Sequence, residues 1–175
     1  MNEPLGELRF KNLNQRASCI EQIALWHHHE WLRGTGKAID PSTFGSQLDQ
    51  RVELLKQHVN GETIPSTFIV EKVDSDISEF DGDIVGTVSL VNYDLNDQRS
   101  ASKWITNLFV VPDYRGKGIG SELLQFAEEF AAGSNVDALN LYTHDQQEFY
   151  KKRAWQVLGD ARLHNSMVTV FRKNF

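Results

Sequence analysis

The sequence predicts an α/β domain in which helices flank a mixed β-sheet of about seven strands. Segments with the 3.6-residue period of helices alternate along the chain with apolar, β-branched runs typical of strands. The composition, 40% hydrophobic and 24% charged over 175 residues, is that of a globular protein with one sizeable core. Because no repeat, low-complexity tract or linker divides the chain, we expect a single domain over residues 1–175.

The first half of the chain predicts an edge strand, two helices and a pair of strands. Residues 8–10 form the short strand. Apolar residues then recur every three or four positions in two helices, one from Ile20 and one from Asp40-Pro41-Ser42. β-branched and apolar residues dominate 67–73 and 84–91, and the polar, turn-forming residues between them favour two neighbouring antiparallel strands.

The second half centres on residues 104–111, a run that is apolar on both faces and ends at Pro112. Such a run is typical of a strand in the middle of a sheet. In chain order, the remaining predicted elements are a helix from Ile119 that Gly133 ends, a strand over 138–143, a helix over 145–152 that Asp145 caps, and strands over 155–158 and 167–171.

The charge balance argues against a nucleic-acid partner. Asp and Glu number 24 against 18 Lys and Arg, a net charge of −6 that opposes binding of a phosphate backbone and mildly favours cationic ligands such as amines. The single cysteine, Cys19, cannot form an internal disulfide, and no apolar run approaches the length of a membrane span. Since the start of the chain lacks the pattern of a secretion signal, we expect a cytoplasmic protein without a membrane partner.

The most informative stretch places a strand, a glycine-rich turn and a helix start in succession over residues 108–120. Glycines let a ligand approach the backbone, and the first amides of a helix lack partners within it, so this turn can hold a pyrophosphate. Its glycines alternate as G-x-G-x-G, which fits neither the P-loop of NTPases nor the G-x-G-x-x-G motif of dehydrogenases. The alternative is a turn that only lets the helix pack against the strand.

Arg115, Gly118 and Gly120 match the signature of the GNAT superfamily of N-acetyltransferases: arginine or glutamine, two residues, glycine, one residue, then glycine or alanine. The predicted order of strands and helices resembles that family over most of the chain. The resemblance implies a fourth strand that splays from the fifth and acetyl-CoA as co-substrate. It places the pyrophosphate of acetyl-CoA on the backbone amides of Arg115, Gly116, Lys117, Gly118, Ile119 and Gly120, with Leu108, Phe109 and Val110 beside the pantetheine arm and acetyl group.

The same resemblance implies how the chain assists the reaction. A backbone amide near Val110 would polarise the thioester carbonyl as charge develops on it. Phe149-Tyr150, followed by Ala154-Trp155, resembles the family's Phe-Tyr-x-x-x-Gly-aromatic stretch, which makes Tyr150 the general acid for the departing CoA thiolate. The alternative is an ordinary tyrosine at a helix edge. Ala154 stands where the family usually has glycine.

The general base is less clearly marked, because residues 105–108 lack the glutamate that many relatives carry on strand four. His144 is the candidate, since an imidazole can accept the proton of the amine and lies close in sequence to the Tyr150 helix. The alternatives are deprotonation through water and a solvent-exposed His144 beside the capping Asp145. Asp94, between the third and fourth strands, is a candidate for holding a cationic acceptor.

The acceptor is expected to be a primary amine on a small molecule or a peptide. Residues 142–150 also resemble a branch of the family that acetylates peptide N-termini, which keeps that substrate class open. A non-catalytic acyl-CoA-binding module is the alternative from a different class of protein. A monomer and a homodimer are equally open.

Three successive histidines, His27 to His29, suggest a metal site, but successive residues of a helix point about 100° apart and cannot converge on one ion. We therefore expect no metal. His27 and Trp31 fall on the apolar stripe of the first helix and are expected to be packed. His28, His29 and Glu30 are candidates for facing the acceptor cleft.

Overall fold

The computed structural model describes residues 6–73, 82–93, 102–163 and 165–175. These residues form one seven-stranded sheet: β1 (Glu7–Asn12), β2 (Ser66–Val73), β3 (Asp83–Tyr93), β4 (Ser102–Val110), β5 (Ala138–Thr143), β6 (Gln156–Leu163) and β7 (Ser166–Asn174). The helices are α1 (Ile20–Thr35), α2 (Phe44–Gln57), α3 (Ile119–Gly133) and α4 (Gln147–Lys151), with 3-10 turns at Leu13–Cys19 and Pro112–Tyr114. None of the helices in these ranges is long and apolar enough to cross a bilayer.

The strand order is β1-β2-β3-β4-β5-β7-β6, and neighbours are antiparallel except for β4 and β5, which are parallel. Within the described residues a single register pair, Trp104 with Asn140, joins β4 to β5. Past this pair the two strands separate toward their C-terminal ends. The predicted mixed sheet of seven strands, splayed between the fourth and fifth, is confirmed.

Two hydrophobic clusters hold the helices on opposite faces of the sheet. On one face, Leu123 of α3 packs with strand residues that include Ile105. On the other, Ile23 of α1 and Leu55 of α2 pack with Ile69 of β2. Because each fully buried aliphatic side chain stabilises the fold by about 1.5–3 kcal/mol, the apolar stripes determine which helix face meets the sheet.

The boundaries of several elements differ from those predicted. Every strand except β5 reaches beyond its apolar run, because backbone pairing continues into the polar residues at its ends. The second helix begins at Phe44, because Asp40 Oδ1 accepts hydrogen bonds from the amide (2.9 Å) and the hydroxyl (2.7 Å) of Ser42 and closes a turn before it.

The predicted helix cap at Asp145 is wrong. Helix α4 begins at Gln147 and has no side-chain cap. The amide of Gln146 instead donates to Thr143 Oγ1 at 3.0 Å. The Asp145 carboxylate pairs with Arg33 Nη1 at 3.2 Å, which ties the end of β5 to α1.

Candidate active site

The turn after β4 leaves a run of backbone amides without partners. Gly116 and Gly118 have φ angles of 74° and 89°, left-handed values that favour glycine, and Gly118 caps α3. Within the described chain, no backbone carbonyl accepts from the amides of residues 116–120. These amides and the positive end of the α3 dipole suit an anionic ligand. Ile119 is buried, so only its amide can contribute.

At Val110, the edge of β4 that faces the splay has no neighbouring strand. The amide of Val111 donates to Val85 O at 2.9 Å, on the β3 side. Since successive peptide groups of a strand point to opposite edges, the Val110 amide and carbonyl face the gap toward β5. Arg115 folds back over this gap, where its Nε donates to Val110 O at 2.8 Å.

The side chains of the predicted strand residues divide between the two faces of the sheet. Leu108 and Val110 pack against the cluster that contains α3. Phe109 points to the other face and stacks on Trp26 of α1, with ring centroids 5.6 Å apart. Val110 can therefore serve a ligand on the α1 face through its backbone alone.

A β-bulge interrupts β4 beside the splay. The register with β3 shifts between Thr87 and Ser89, and Asn107 has a φ of 53°. Two hydrogen bonds secure the bulge: Thr87 Oγ1 donates to Asn107 O at 3.1 Å, and Asn107 Nδ2 donates to Ser89 Oγ at 3.3 Å. The bulge is thus held by side chains of β3.

Two buried histidines extend this hydrogen-bond network to the helices. His27 Nε2 of α1 lies 2.8 Å from Thr87 Oγ1, and because that hydroxyl already donates to Asn107, the imidazole is the donor. His58 Nδ1 lies 2.8 Å from Thr67 Oγ1, which is 2.8 Å from Ser89 Oγ.

Both histidines of the network are neutral at neutral pH. Burial, together with the charges of Arg51 and His58, lowers the pKa of His27 to about 3. Burial lowers the pKa of His58 to about 4. Sequence analysis missed the network, although the hydroxyl residues within the apolar runs of β2 and β3 were a visible signal.

A cleft of about 700 Å³ opens between the splayed strands and the two helices on that face. Its lining includes His27, Glu30, Trp31, Arg51, Trp104, Asn107, Leu108, Phe109, Tyr142, His144 and Tyr150. The predicted site residues Leu108 and Phe109 of β4 therefore share one cleft with His144 and Tyr150, whereas Val110 is not part of its lining. Asp94 lies outside the described residues.

Tyr150 reaches the cleft from α4 and is otherwise enclosed by aromatic rings. Its side chain is 8% exposed and meets Phe149, Trp155 and Phe171, with ring centroids 5.0 to 6.2 Å away. Burial, with a smaller contribution from the charge of Asp145, raises the pKa of Tyr150 to about 12. The phenol therefore keeps its proton at neutral pH.

His144 forms the side of the cleft at the end of β5. Its ring lies edge-on to Tyr142, with centroids 6.2 Å apart. Helix α1 passes so close that a Cβ at Gly34 would lie 3.0 Å from His144 Cδ2. Glycine at this position thus lets helix and imidazole meet.

The three successive histidines of α1 point to different surroundings. His27 and Glu30 line the cleft, but His28 does not: it is buried against Phe44, with ring centroids 4.8 Å apart. His29 also meets Phe44 and does not line the cleft. The expectation that His28 and His29 face the cleft is wrong, because the Phe44 ring at the start of α2 covers that side of α1.

A sequence model of the acetyltransferase (GNAT) domain matches residues 66–157, more than half of the chain. The chain therefore belongs to the GNAT acetyltransferase family. An uncharacterised N-acetyltransferase of Archaeoglobus fulgidus is 36% identical over 87 residues. The aligned part spans 49% of this chain and 58% of that relative, so it leaves much of both proteins unmatched.

Solved structures share the fold over nearly the whole length. A GNAT acetyltransferase of Staphylococcus aureus Mu50 has a TM-score of 0.66 at 18% identity, with 96% of this chain and 99% of that chain covered. NAA60 of Arabidopsis thaliana, solved with a bisubstrate analogue, has a TM-score of 0.65 at 16% identity, with 97% and 99% covered. At these identities the likeness concerns the fold alone.

Proposed function

We propose that this protein transfers the acetyl group of acetyl-CoA directly to a primary amine. The observation that carries the proposal is the amide of Val110, which faces the gap toward β5 and lies in the chain between the cleft-lining Phe109 and the amides of the glycine turn. Membership of the GNAT acetyltransferase family supports acetyl transfer as the reaction. The candidate acceptors are small-molecule amines and peptide amines, and we expect them to bind in the cleft.

The glycine turn fits the diphosphate of acetyl-CoA. A Cβ added at Gly116 or Gly118 would meet no protein atom within 4 Å, so the space beside these residues is open to a ligand. The amides of residues 116–120 have no partner among the described backbone carbonyls and would bind phosphate oxygens. Acetyl-CoA would supply the activated thioester, and the Val110 amide would donate to its carbonyl oxygen.

Tyr150 is proposed as the general acid. In the reaction an N–C bond forms to the acetyl carbon, the C–S bond breaks, and the departing sulfur must gain a proton. Because burial raises its pKa to about 12, Tyr150 holds its proton until a strong base such as a thiolate arises beside it. The phenol recovers its proton from solvent once product has left.

His144 is proposed as the group that accepts the proton of the attacking amine. It lines the same cleft as Tyr150, so a base and an acid face one volume. The ring is positioned by Tyr142 and by the close approach of Gly34. A water molecule between amine and imidazole would serve equally well as the path of the proton.

Release of free thiol from acetyl-CoA over a panel of amines tests the proposal. Acetyl-CoA binding by calorimetry, together with thiol release that depends on an amine, is the expected result. Tyr150→Phe is expected to lower kcat by roughly 100-fold, as for loss of a general acid, without weakening acetyl-CoA binding. Binding of acetyl-CoA without turnover of any amine would instead indicate a non-catalytic module, and an unchanged kcat in the variant would remove Tyr150 from the mechanism.

A further inference from the structure

The cleft contains a cation, Arg51 of α2, for which the described residues supply no counterion. Its side chain is half-buried, and its Nε is buried without an acceptor. The guanidinium carbon lies 6.0 Å from the centroid of the Trp31 ring. Among the residues that the structure describes, no carboxylate pairs with Arg51.

The groups around Arg51 do not neutralise it. Its charge acts on the imidazoles of His27 and His28, whose pKa values are lowered mainly by burial, and on the Tyr142 phenol, whose pKa burial raises. All three are neutral at neutral pH. A half-buried cation surrounded by neutral groups is only partly solvated by water, and a bound anion would stabilise it.

The carboxylates of the cleft are committed elsewhere. Glu30 Oε1 accepts from Arg33 Nη2 at 2.5 Å, and Glu30 Oε2 lies 3.7 Å from Arg115 Nη2. Asp145 Oδ2 pairs with Arg33 Nη1 at 3.2 Å. These contacts lie toward the glycine turn and the end of β5, which leaves Arg51 as the unpaired charge of the described lining.

A second donor lacks an acceptor on the same cleft. Trp104 Nε1 is buried and has no hydrogen-bond partner among the described residues, and its ring lies 5.8 Å from Tyr93 and 6.4 Å from Tyr142 between centroids. Indole and guanidinium nitrogens can only donate. Within the described residues, this part of the cleft thus offers hydrogen-bond donors and a positive charge, which suit a ligand with acceptor oxygens and negative charge.

We propose that the acceptor amine carries a carboxylate, and that Arg51 binds this carboxylate while the amine reaches the acetyl group. The inference rests on the proposed acetyl transfer and narrows its substrate class to amino acids and related anionic amines. The carboxylate takes no part in bond making: the N–C bond forms, the C–S bond breaks, the amine proton leaves through the base and the sulfur gains a proton. Arg51 is thus a specificity residue, and it selects against the cationic amines that the net charge of −6 would favour.

The test is thiol release from acetyl-CoA with pairs of acceptors that share an amine and differ in one charge. L-Phenylalanine, 4-aminobutanoate and 6-aminohexanoate are each compared with their carboxamides, so that the distance from amine to carboxylate varies across the panel. We expect kcat/KM to favour the acid in at least one pair by roughly tenfold or more, as for one charge-assisted hydrogen bond. Equal kcat/KM within every pair would overturn the proposal.

Arg51→Met keeps the stem that packs against Trp31 and removes the charge, so it should lower kcat/KM for the acids and leave the amides unchanged. Lys56→Met, on an exposed position of the same helix that does not line the cleft, is the control and should retain the preference. A variant at Arg51 that lowers acid and amide alike would contradict a role in selection. So would a marked loss of thermal stability, because removal of a half-buried charge that no described carboxylate pairs with should leave stability unchanged or raise it.

Direct binding separates this inference from the proposed function. The N-acetyl derivatives of the same acids and amides are titrated by calorimetry into the protein with CoA present, which needs no turnover. Binding of an acid that is lost in Arg51→Met supports the carboxylate site even if no amine is acetylated, in which case the proposed function alone fails. Absence of binding by every acid, while amines are acetylated, would overturn the carboxylate site and leave the acetyl transfer standing.

Discussion

The glycine turn and the cleft under α1 and α2 present different chemistry to a ligand. The turn offers main-chain amides of residues 116–120, whose positions depend on two left-handed glycines. The cleft offers side chains that come from α1, α2, β4, β5 and α4. A site made of backbone needs few particular side chains, whereas a site made of side chains depends on each of them.

This difference decides how each region tolerates change. We expect an amide-lined turn to bind a diphosphate in any chain that adopts the same backbone, because backbone amides do not depend on the identity of the side chains. The cleft combines Arg51, Trp104 and the network of His27 and Asn107, and none of these belongs to the glycine motif. We therefore expect changes at the turn to act on cofactor affinity and changes in the cleft to act on acceptor choice or stability.

The largest effect should follow from blocking the turn. Gly118→Leu places a side chain beside the free amides, and acetyl-CoA affinity should fall roughly 100-fold by calorimetry, about 2.7 kcal/mol. Leucine at a φ of 89° also costs about 1–2 kcal/mol of stability, so strain must be separated from occlusion.

Gly61→Leu supplies that separation. Gly61 has a φ of 80° and, like Gly118, open space where a Cβ would stand, but it lies in the connection between α2 and β2. Both variants should lose similar stability, and only Gly118→Leu should lose acetyl-CoA affinity. Equal affinities in the two variants would mean that the diphosphate binds elsewhere.

The same contrast explains how far the sequence could be interpreted. The strand, turn and helix over residues 108–120 are contiguous, so their spacing predicted the fold around the glycine turn, and the splay of β4 from β5 followed from the family resemblance. The cleft unites His27 with Asn107 and Arg51 with Trp104, pairs that only the tertiary fold brings together.

The predicted cap at Asp145 was wrong because this residue forms an ion pair with Arg33, 112 positions away, in place of a local cap. The single domain over 1–175 and the roles of Tyr150 and His144 stay predictions.

The next largest effect concerns two buried histidines of the cleft, which make the free energy of unfolding depend on pH. His27 has a pKa of about 3 in the fold, against about 6.5 in an unfolded chain, so the unfolded state gains a proton first as the pH falls. The contribution of neutral His27 is fully present above pH 6.5 and is lost progressively toward pH 3. From pH 6.5 to 5 this amounts to about 2 kcal/mol per histidine, and His58 adds a similar term over the same interval.

Denaturant unfolding as a function of pH measures this loss. His27→Gln retains a donor for Thr87 without a titrating ring, so its unfolding free energy should fall less steeply than that of the wild type between pH 6.5 and 5, while His28 and His58 still contribute. Carboxylates contribute little in that interval, because they titrate below it. Identical slopes in the two proteins would show that His27 is not held neutral by burial, and the cleft would then be more open to water than its burial indicates.

The smallest effect concerns the turn after α4, where the sequence departs from the family's pattern. It tests whether this turn keeps the backbone conformation that a glycine would adopt. Ala154, which follows α4, has a φ of 62°, so alanine adopts the left-handed conformation of the family's usual glycine. Such a residue costs about 1–2 kcal/mol, and the greater freedom of glycine in the unfolded chain offsets part of the gain. Ala154→Gly should therefore raise the unfolding free energy by about 1 kcal/mol without changing kcat.

Asn135→Gly, at a φ of 59° after α3, is the matched control, and its unfolding free energy should rise less, because asparagine tolerates this conformation. A destabilised Ala154→Gly would show that the methyl group packs there, and that this turn is set by side chains as the cleft is.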